Sequence, residues 1–290
     1  MLSRSGVFVL MFLAAGIVQA APDTVVEGIQ LPAWVTRDGK RQPLALGTEL
    51  RSNDEVSTGA SSRLLLRLGD GSMVKLGENG KLQLSDLVQK RKEGFITATL
   101  RVLEGAFRFT TEAAAKNRGT RDITVQFPTV TAGIRGTDIW GKNLGDKEVV
   151  VLIEGKITVT RKGDAPVQMN DPLTYLQAPN SGPATVQAVP MDQLKAWAAE
   201  TEIGEGKGAL RKGGRWKLYI GSYQQQLEAL SLYDSLRREG YPVRIQPRQA
   251  DGEPLYRVRL AGFSSEQEAN ALGARLKESY PKLDPIASLQ

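Results

Sequence analysis

Six side chains in the last quarter of the sequence could do binding chemistry together: Lys217, Tyr219, Arg244, Gln246, Arg257 and Arg259. Four are cations, and no acidic residue interrupts the set. Guanidinium and ammonium groups donate charge-assisted hydrogen bonds to carboxylates, each contributing about 1.5–3 kcal/mol when well formed. Tyr219 adds a flat apolar face suited to a pyranose ring. A polymer of acidic sugars satisfies that combination, and so does a nucleic acid stacked on an open sheet. The bland alternative is a solvated sheet face, on which Lys and Arg are ordinary. Asp251 and Glu253 follow in the next loop and could partly neutralise the set.

Hydrolytic chemistry has fewer candidates. The chain has no His and no Cys, which removes the commonest general base and the usual zinc ligands. Neither a metal nor a cofactor is expected. Carboxylate pairs remain: Glu104 with Glu154, or Asp138 with Glu148. Neither lies in a recognisable catalytic frame, and acid–base carboxylates need a cleft that raises their pKa. The sequence therefore points to a non-enzymatic protein.

The six residues need a scaffold that aims them one way, and the segment 215–290 supplies one. Trp216–Ile220 and Tyr256–Leu260 are related by a shift of 40 residues, as are Tyr223 and Phe263. In both strands alternate residues are apolar, so the polar ones share the opposite face. Ala229, Leu232, Tyr233 and Leu236 follow helical spacing, as do Ala269, Leu272, Gly273 and Leu276. Ser264 with Gln267 reads as a capping box for the second helix, and Gly240 as the stop of the first. Each half ends in a short strand, near Val243–Gln246 and near Pro285–Leu289; Pro242 and Pro247 suit an edge strand. The order βαββαβ predicts an α+β unit, a four-stranded antiparallel sheet with both helices on one face. Its first and third strands should lie in the centre, with the six residues on the open side.

The rest of the chain reads in three pieces. Arg4 precedes an apolar run from Gly6 to Val18, and small residues flank a cut after Ala20. That is the pattern of a secretory signal over residues 1–20, too short for the roughly 18–20 apolar residues of a membrane span. A periplasmic location is expected. Loss of Arg4 lowers the net charge from +6 to +5, a mild excess that fits an anionic partner. Nucleic acid is disfavoured by the compartment. Residues 24–160 are dense in short strands, expected at 62–68, 73–76, 81–84, 96–103, 106–110, 122–126, 138–141, 148–153 and 156–160. Asp70-Gly71 and Asn79-Gly80 read as type I′ hairpin turns, Glu154-Gly155 as a further turn, and 111–119 as a loop or short helix. An all-β sandwich, roll or barrel follows. Residues 161–214 are a Pro/Gly-rich connector. It holds a short helix over 192–202, capped by Asp192, whose Leu194 and Trp197 should pack back on the β unit. Gly204–Gly214 reads as a flexible tether.

The stretches LYIGSY, EALSLYDSLRREGYPVRI and LYRVRLAGFSSEQEANALGARLKE resemble the SPOR (sporulation-related repeat) domain. That resemblance implies binding to glycan strands of peptidoglycan stripped of their peptides, as exposed at division sites. The lactyl carboxylates of such strands would suit Arg257 and Arg259. The family's first strand commonly has Gln where this chain has Tyr219. DEVSTGASSRLLLRLGDGSMVKLGENGKLQL, LEGAFRF, FPTVTAGIRGTDIWG and VVVLIEGKITV, within residues 50–160, resemble the FecR domain. Founding members of that family relay signals from an outer-membrane receptor to a sigma factor, using a cytoplasmic anti-sigma segment and a membrane span. Neither is evident here, so an extracytoplasmic β domain that contacts another envelope component is expected. Signal transduction through a separate membrane partner is the alternative. Gly133–Gly136 fits turn geometry, or a binding loop around Arg135 and Asp138.

Overall fold

The computed structural model describes residues 24–90, 95–112, 121–134, 136–250 and 252–289. The proposed signal residues and Arg135 lie outside them, as do Asp251 and most of 111–119. The N-terminal unit is strand-rich, and the C-terminal unit mixes strands and helices.

Two sheets build the N-terminal unit. One runs, neighbour by neighbour, through 185–188, 174–179, 147–154, 138–143, 106–110, 73–76, 63–68 and 24–30. The other runs through 167–169, 157–161, 130–134, 121–126, 95–104, 81–90, 55–58, 33–37 and 40–43. Alternation in the sequence sets the burial: Leu64, Leu66 and Leu68 are buried, while Arg63, Leu65 and Arg67 are half-buried. These leucines join Phe107, Phe109, Leu82, Leu84, Leu100 and Val125 in one core to which both sheets contribute.

The turns depart from expectation. Asp70-Gly71 does close a hairpin between 63–68 and 73–76, but only Gly71 has positive φ, 93°. The loop is held instead by Asp70, whose carboxylate accepts from the Ser72 N–H and hydroxyl, both at 2.9 Å. Asn79-Gly80 closes no hairpin. It carries the chain from one sheet to the other, between strands 73–76 and 81–90. Glu154-Gly155 makes the same crossing between 147–154 and 157–161. The Thr58 hydroxyl pins the first corner, accepting from Gly80 N–H at 2.8 Å and donating to the Gly77 carbonyl at 2.6 Å. Gly105 reaches so near that a Cβ there would lie 2.6 Å from Gly80 Cα. Close backbone approach, rather than hairpin twist, is what these glycines permit.

The connector is ordered along its length. Its helix spans Met191–Thr201, with Pro190 at the N-cap and Asp192 in the first turn. Asp192 is therefore not the cap, although a carboxylate there still favours the positive end of the helix. Trp197 stacks on Trp140 with ring centroids 5.1 Å apart, and Tyr175 meets it edge-on at 5.6 Å. Leu194 joins the same cluster with Val149 and Val151.

Gly204–Gly214 is not a flexible tether. Ala209–Arg211 forms a strand that pairs antiparallel with 24–30 and, at Leu210, with Phe263 of the C-terminal sheet. Leu210 is buried. The Glu268 carboxylate accepts from the N–H groups of Gly206 at 2.6 Å, Gly208 at 2.7 Å and Ala209 at 2.9 Å. The linker strand fuses the two units into a continuous 14-stranded sheet.

The C-terminal unit has the expected arrangement. Its strands lie in the order 244–250, 253–263, 216–223, 286–289, all antiparallel, with helices at Gln226–Arg238 and Glu266–Ser279. Leu218, Ile220, Val258 and Leu260 are buried in one cluster with Ala229, Leu232, Leu236, Ala269, Leu272 and Leu276. The second helix is capped one residue later than expected: Ser265 accepts from Glu268 N–H. The Glu268 side chain, which a capping box would turn back onto its own helix, goes to the linker instead. Gly240 ends the first helix at φ 88°. Its N–H bonds the Arg237 carbonyl and the Tyr241 N–H bonds that of Leu236, the two bonds of a Schellman ending. Gly240 also docks the units: a Cβ there would lie 2.6 Å from the Trp34 ring.

Candidate glycan-binding face

The strand register decides which side chains meet. Arg244 lies opposite Arg259, which lies opposite Tyr219. Gln246 lies opposite Arg257 in the adjoining row. Lys217 lies between Ala261 and Ser288. Lys217, Tyr219, Arg257 and Arg259 alternate along their strands with residues buried beneath the helices, Leu218, Val258 and Leu260 among them, and Arg244 and Gln246 flank half-buried Ile245, which packs on the core. All six are thus brought onto one open tray, and none is tucked under a helix.

A break in the register adds to this face. Between Tyr219 and Gly221 the first strand gains an extra residue, so Ile220 and Gly221 both fall opposite Val258. A Cβ on Gly221 would lie 3.1 Å from Leu232, on the helix side. After the bulge Ser222 returns to the open side, opposite Arg257. The sequence reading misses Ser222 because strict alternation puts it with Leu218 and Ile220 on the buried face, and only the bulge turns it outward. It also missed Arg248, because the edge strand runs on to Ala250, and Ile286 on the far edge. The period-2 alternation, carried two residues further, would have found Arg248.

The tray carries uncompensated positive charge. Among the described residues no carboxylate pairs with Lys217, Arg244, Arg257 or Arg259. Glu253, at the start of the strand that carries Arg257 and Arg259, makes no ion pair with them either. Like charges directly opposite on paired strands destabilise a sheet, and Arg244 and Arg259 are such a pair. The Arg257 guanidinium lies 5.0 Å from the Tyr219 ring centre, a cation–π contact that holds it over the aromatic face. The Nε atoms of Arg257 and Arg259 and Oε1 of Gln246 are screened from solvent without a hydrogen-bond partner. Outward-facing guanidinium groups without counter-charges can donate hydrogen bonds to anions, and the tyrosine ring adds a flat apolar wall beside them.

The proposed carboxylate pairs are used up in structural bonds. Arg108 grips Asp138 in a two-pronged contact, 2.9 and 2.7 Å. Glu148 accepts from the Thr129 N–H and hydroxyl, both at 2.9 Å. Asp138 and Glu148 sit at opposite ends of a paired strand ladder, about 17 Å apart at the usual rise per residue. Glu104 pairs with Lys81 at 3.2 Å and lies on a different sheet from Glu154. The suggested loop around Arg135 and Asp138 loses Asp138 to the Arg108 contact. Among the described residues no helix is long and apolar enough to cross a membrane.

Two solved structures of a protein described as an anti-sigma factor from Parabacteroides distasonis ATCC 8503 align with this chain at 14% identity and a TM-score of 0.39. One alignment covers 78% of this chain and 91% of the other, the second 81% and 99%. A likeness at that level carries no argument about fold or function. Comparison with curated proteins gives no match. Residues 54–158 match the family described as FecR protein, and residues 212–287 match the SPOR domain. The chain carries a FecR domain followed by a SPOR domain.

Proposed function

We propose that this chain is a non-enzymatic periplasmic protein that binds the glycan of peptidoglycan through the open face of its SPOR domain. Lys217, Arg244, Arg257 and Arg259 donate to sugar carboxylates, Gln246 to hydroxyl or amide groups, and Tyr219 lines the ring faces. Strands stripped of their peptides are the preferred form, because only there are the lactyl carboxylates free. Such strands arise where the wall is being cut for division, which is where the protein acts. The FecR domain contacts another envelope component. The observation that carries this reading is the set of four cations without a carboxylate partner, gathered around one tyrosine on an open sheet.

The test is retention of residues 24–290 on purified sacculi, with and without amidase pretreatment. Binding that rises after amidase supports the reading. Recovery in the unbound fraction under both conditions refutes it. The FecR match favours a second reading, an envelope signal relay that reaches a sigma factor through a separate membrane partner. A deletion strain whose sigma-controlled envelope transcripts are unchanged would exclude it.

A further inference from the structure

The N-terminal unit closes one end of the tray. A cavity of 260 Å3 lies there, lined by Arg244 and Arg259 on one side and by Ala45 and Leu46 of the N-terminal unit on the other. Leu210 of the linker strand and Gly262 also line it. Gly262 stands at φ 108°, a conformation that favours glycine, and a Cβ there would lie 2.6 Å from Leu46 Cδ1, so the bare backbone leaves room for the Leu46 methyl as it now lies. Neither unit builds the cavity alone. The docked linker strand fixes the two halves against each other.

The chemistry of the lining is specific. Two guanidinium groups face each other across neighbouring strands with no carboxylate to separate them among the described residues. Guanidinium forks match the two oxygens of a carboxylate. The opposite wall is aliphatic. The volume falls just below the roughly 300–1,000 Å3 of pockets for drug-sized ligands, so it has room for one sugar substituent and not for a polymer crossing through.

We propose that this cavity is a subsite for a carboxylate-bearing sugar unit, with the acid on Arg244 and Arg259 and the apolar side against Leu46. The N-terminal unit is thereby part of the recognition surface. A glycan on the tray either ends at this wall or turns one acidic substituent into it. This deepens the reading above and rests on it for the nature of the ligand.

The test uses residues 24–290 and two monosaccharides, N-acetylmuramic acid and N-acetylglucosamine, which lacks the carboxylate. Titrations are followed on the arginine side-chain NMR signals. The signals of Arg244 and Arg259 are expected to shift with the first sugar and not with the second. Arg244→Gln, at an exposed position, and Leu46→Asp, which puts a negative charge in the cavity, should each raise the Kd for N-acetylmuramic acid about tenfold or more. Lys195→Ala, exposed on the connector helix and outside both the cavity and the tray, should change that Kd less than about twofold. Equal shifts with both sugars, or an unchanged Kd in Arg244→Gln, overturns the subsite. The two readings fail separately. Glycan retained without shifts at Arg244 and Arg259 ends the subsite and leaves the tray. Shifts without retention of glycan support the subsite and end the tray.

Discussion

The bond set most open to test is the one that turns a glycine-rich linker into a strand. Glu268 is buried, 7% exposed, and its two oxygens take three linker N–H groups at 2.6–2.9 Å. Hydrogen bonds to a charged group contribute about 1.5–3 kcal/mol each. Three sharing one carboxylate cannot simply be added, because its desolvation is a common cost. Glu268→Ala also strands three inward-facing donors. A net local loss of about 3–4 kcal/mol follows, comparable to removing one partner of a buried ion pair. Glu268→Gln keeps the shape and one good acceptor, and should lose about half as much. The assay is native-state hydrogen exchange at Gly208–Arg211. Linker amides in Glu268→Ala should open about 10²–10³ times more readily, and trypsin should gain access to Lys207, Arg211 and Lys212. Amides that exchange no faster than in the parent would mean that the pairing with residues 24–30 holds the linker unaided.

Three further outcomes are expected. Arg257→Ala with Arg259→Ala should cut retention on amidase-treated sacculi about tenfold or more with little change in melting temperature, since both side chains face outward. Leu218→Ala should do the reverse, destabilising the C-terminal unit by about 2–5 kcal/mol, as for other fully buried leucines; equal thermal losses in the two variants would contradict the register. The Tyr280 hydroxyl is pushed up to about 12, first by burial and then by its hydrogen bond to Glu239. A raised pKa means that its stabilising effect is intact below the ordinary tyrosine value of about 10 and lost as pH climbs towards about 12. Denaturant midpoints measured across that alkaline window should fall less steeply in Tyr280→Phe than in the parent.

Legibility followed the range of the forces. The C-terminal unit could be read because its two halves repeat, and because periods of 2 and 3.6 sort each side chain to one face or the other. Leu218 and Tyr219 are neighbours in sequence, yet one is sealed and the other looks out. Helix burial followed the same spacing at Ala229, Leu232 and Leu236. The linker misled because its glycines suggest slack, whereas Gly206 and Gly208 have φ of 67° and 78° and so help turn successive N–H groups onto Glu268. Its pairing partner, Thr24–Gln30, lies at the far end of the chain, where no local pattern announces it. Asn79-Gly80 misled for a similar reason: dipeptide chemistry predicts a tight turn, but the strands on either side join different sheets. The cavity beside Leu46 leaves no signature at all, since its walls come from segments about 200 residues apart in the sequence.

A slack joint of eleven residues from Gly204 to Gly214 would let its ends wander by roughly 15–20 Å. The observed joint is hydrogen-bonded on both sides, with Gly240 seated against Trp34 from a third direction. Orientation is therefore inherited across the molecule: the C-terminal sheet cannot turn without turning the opposite end of the protein with it. Whatever docks at that end is held at a set distance and a set angle from the open face, as with a bracket rather than a leash.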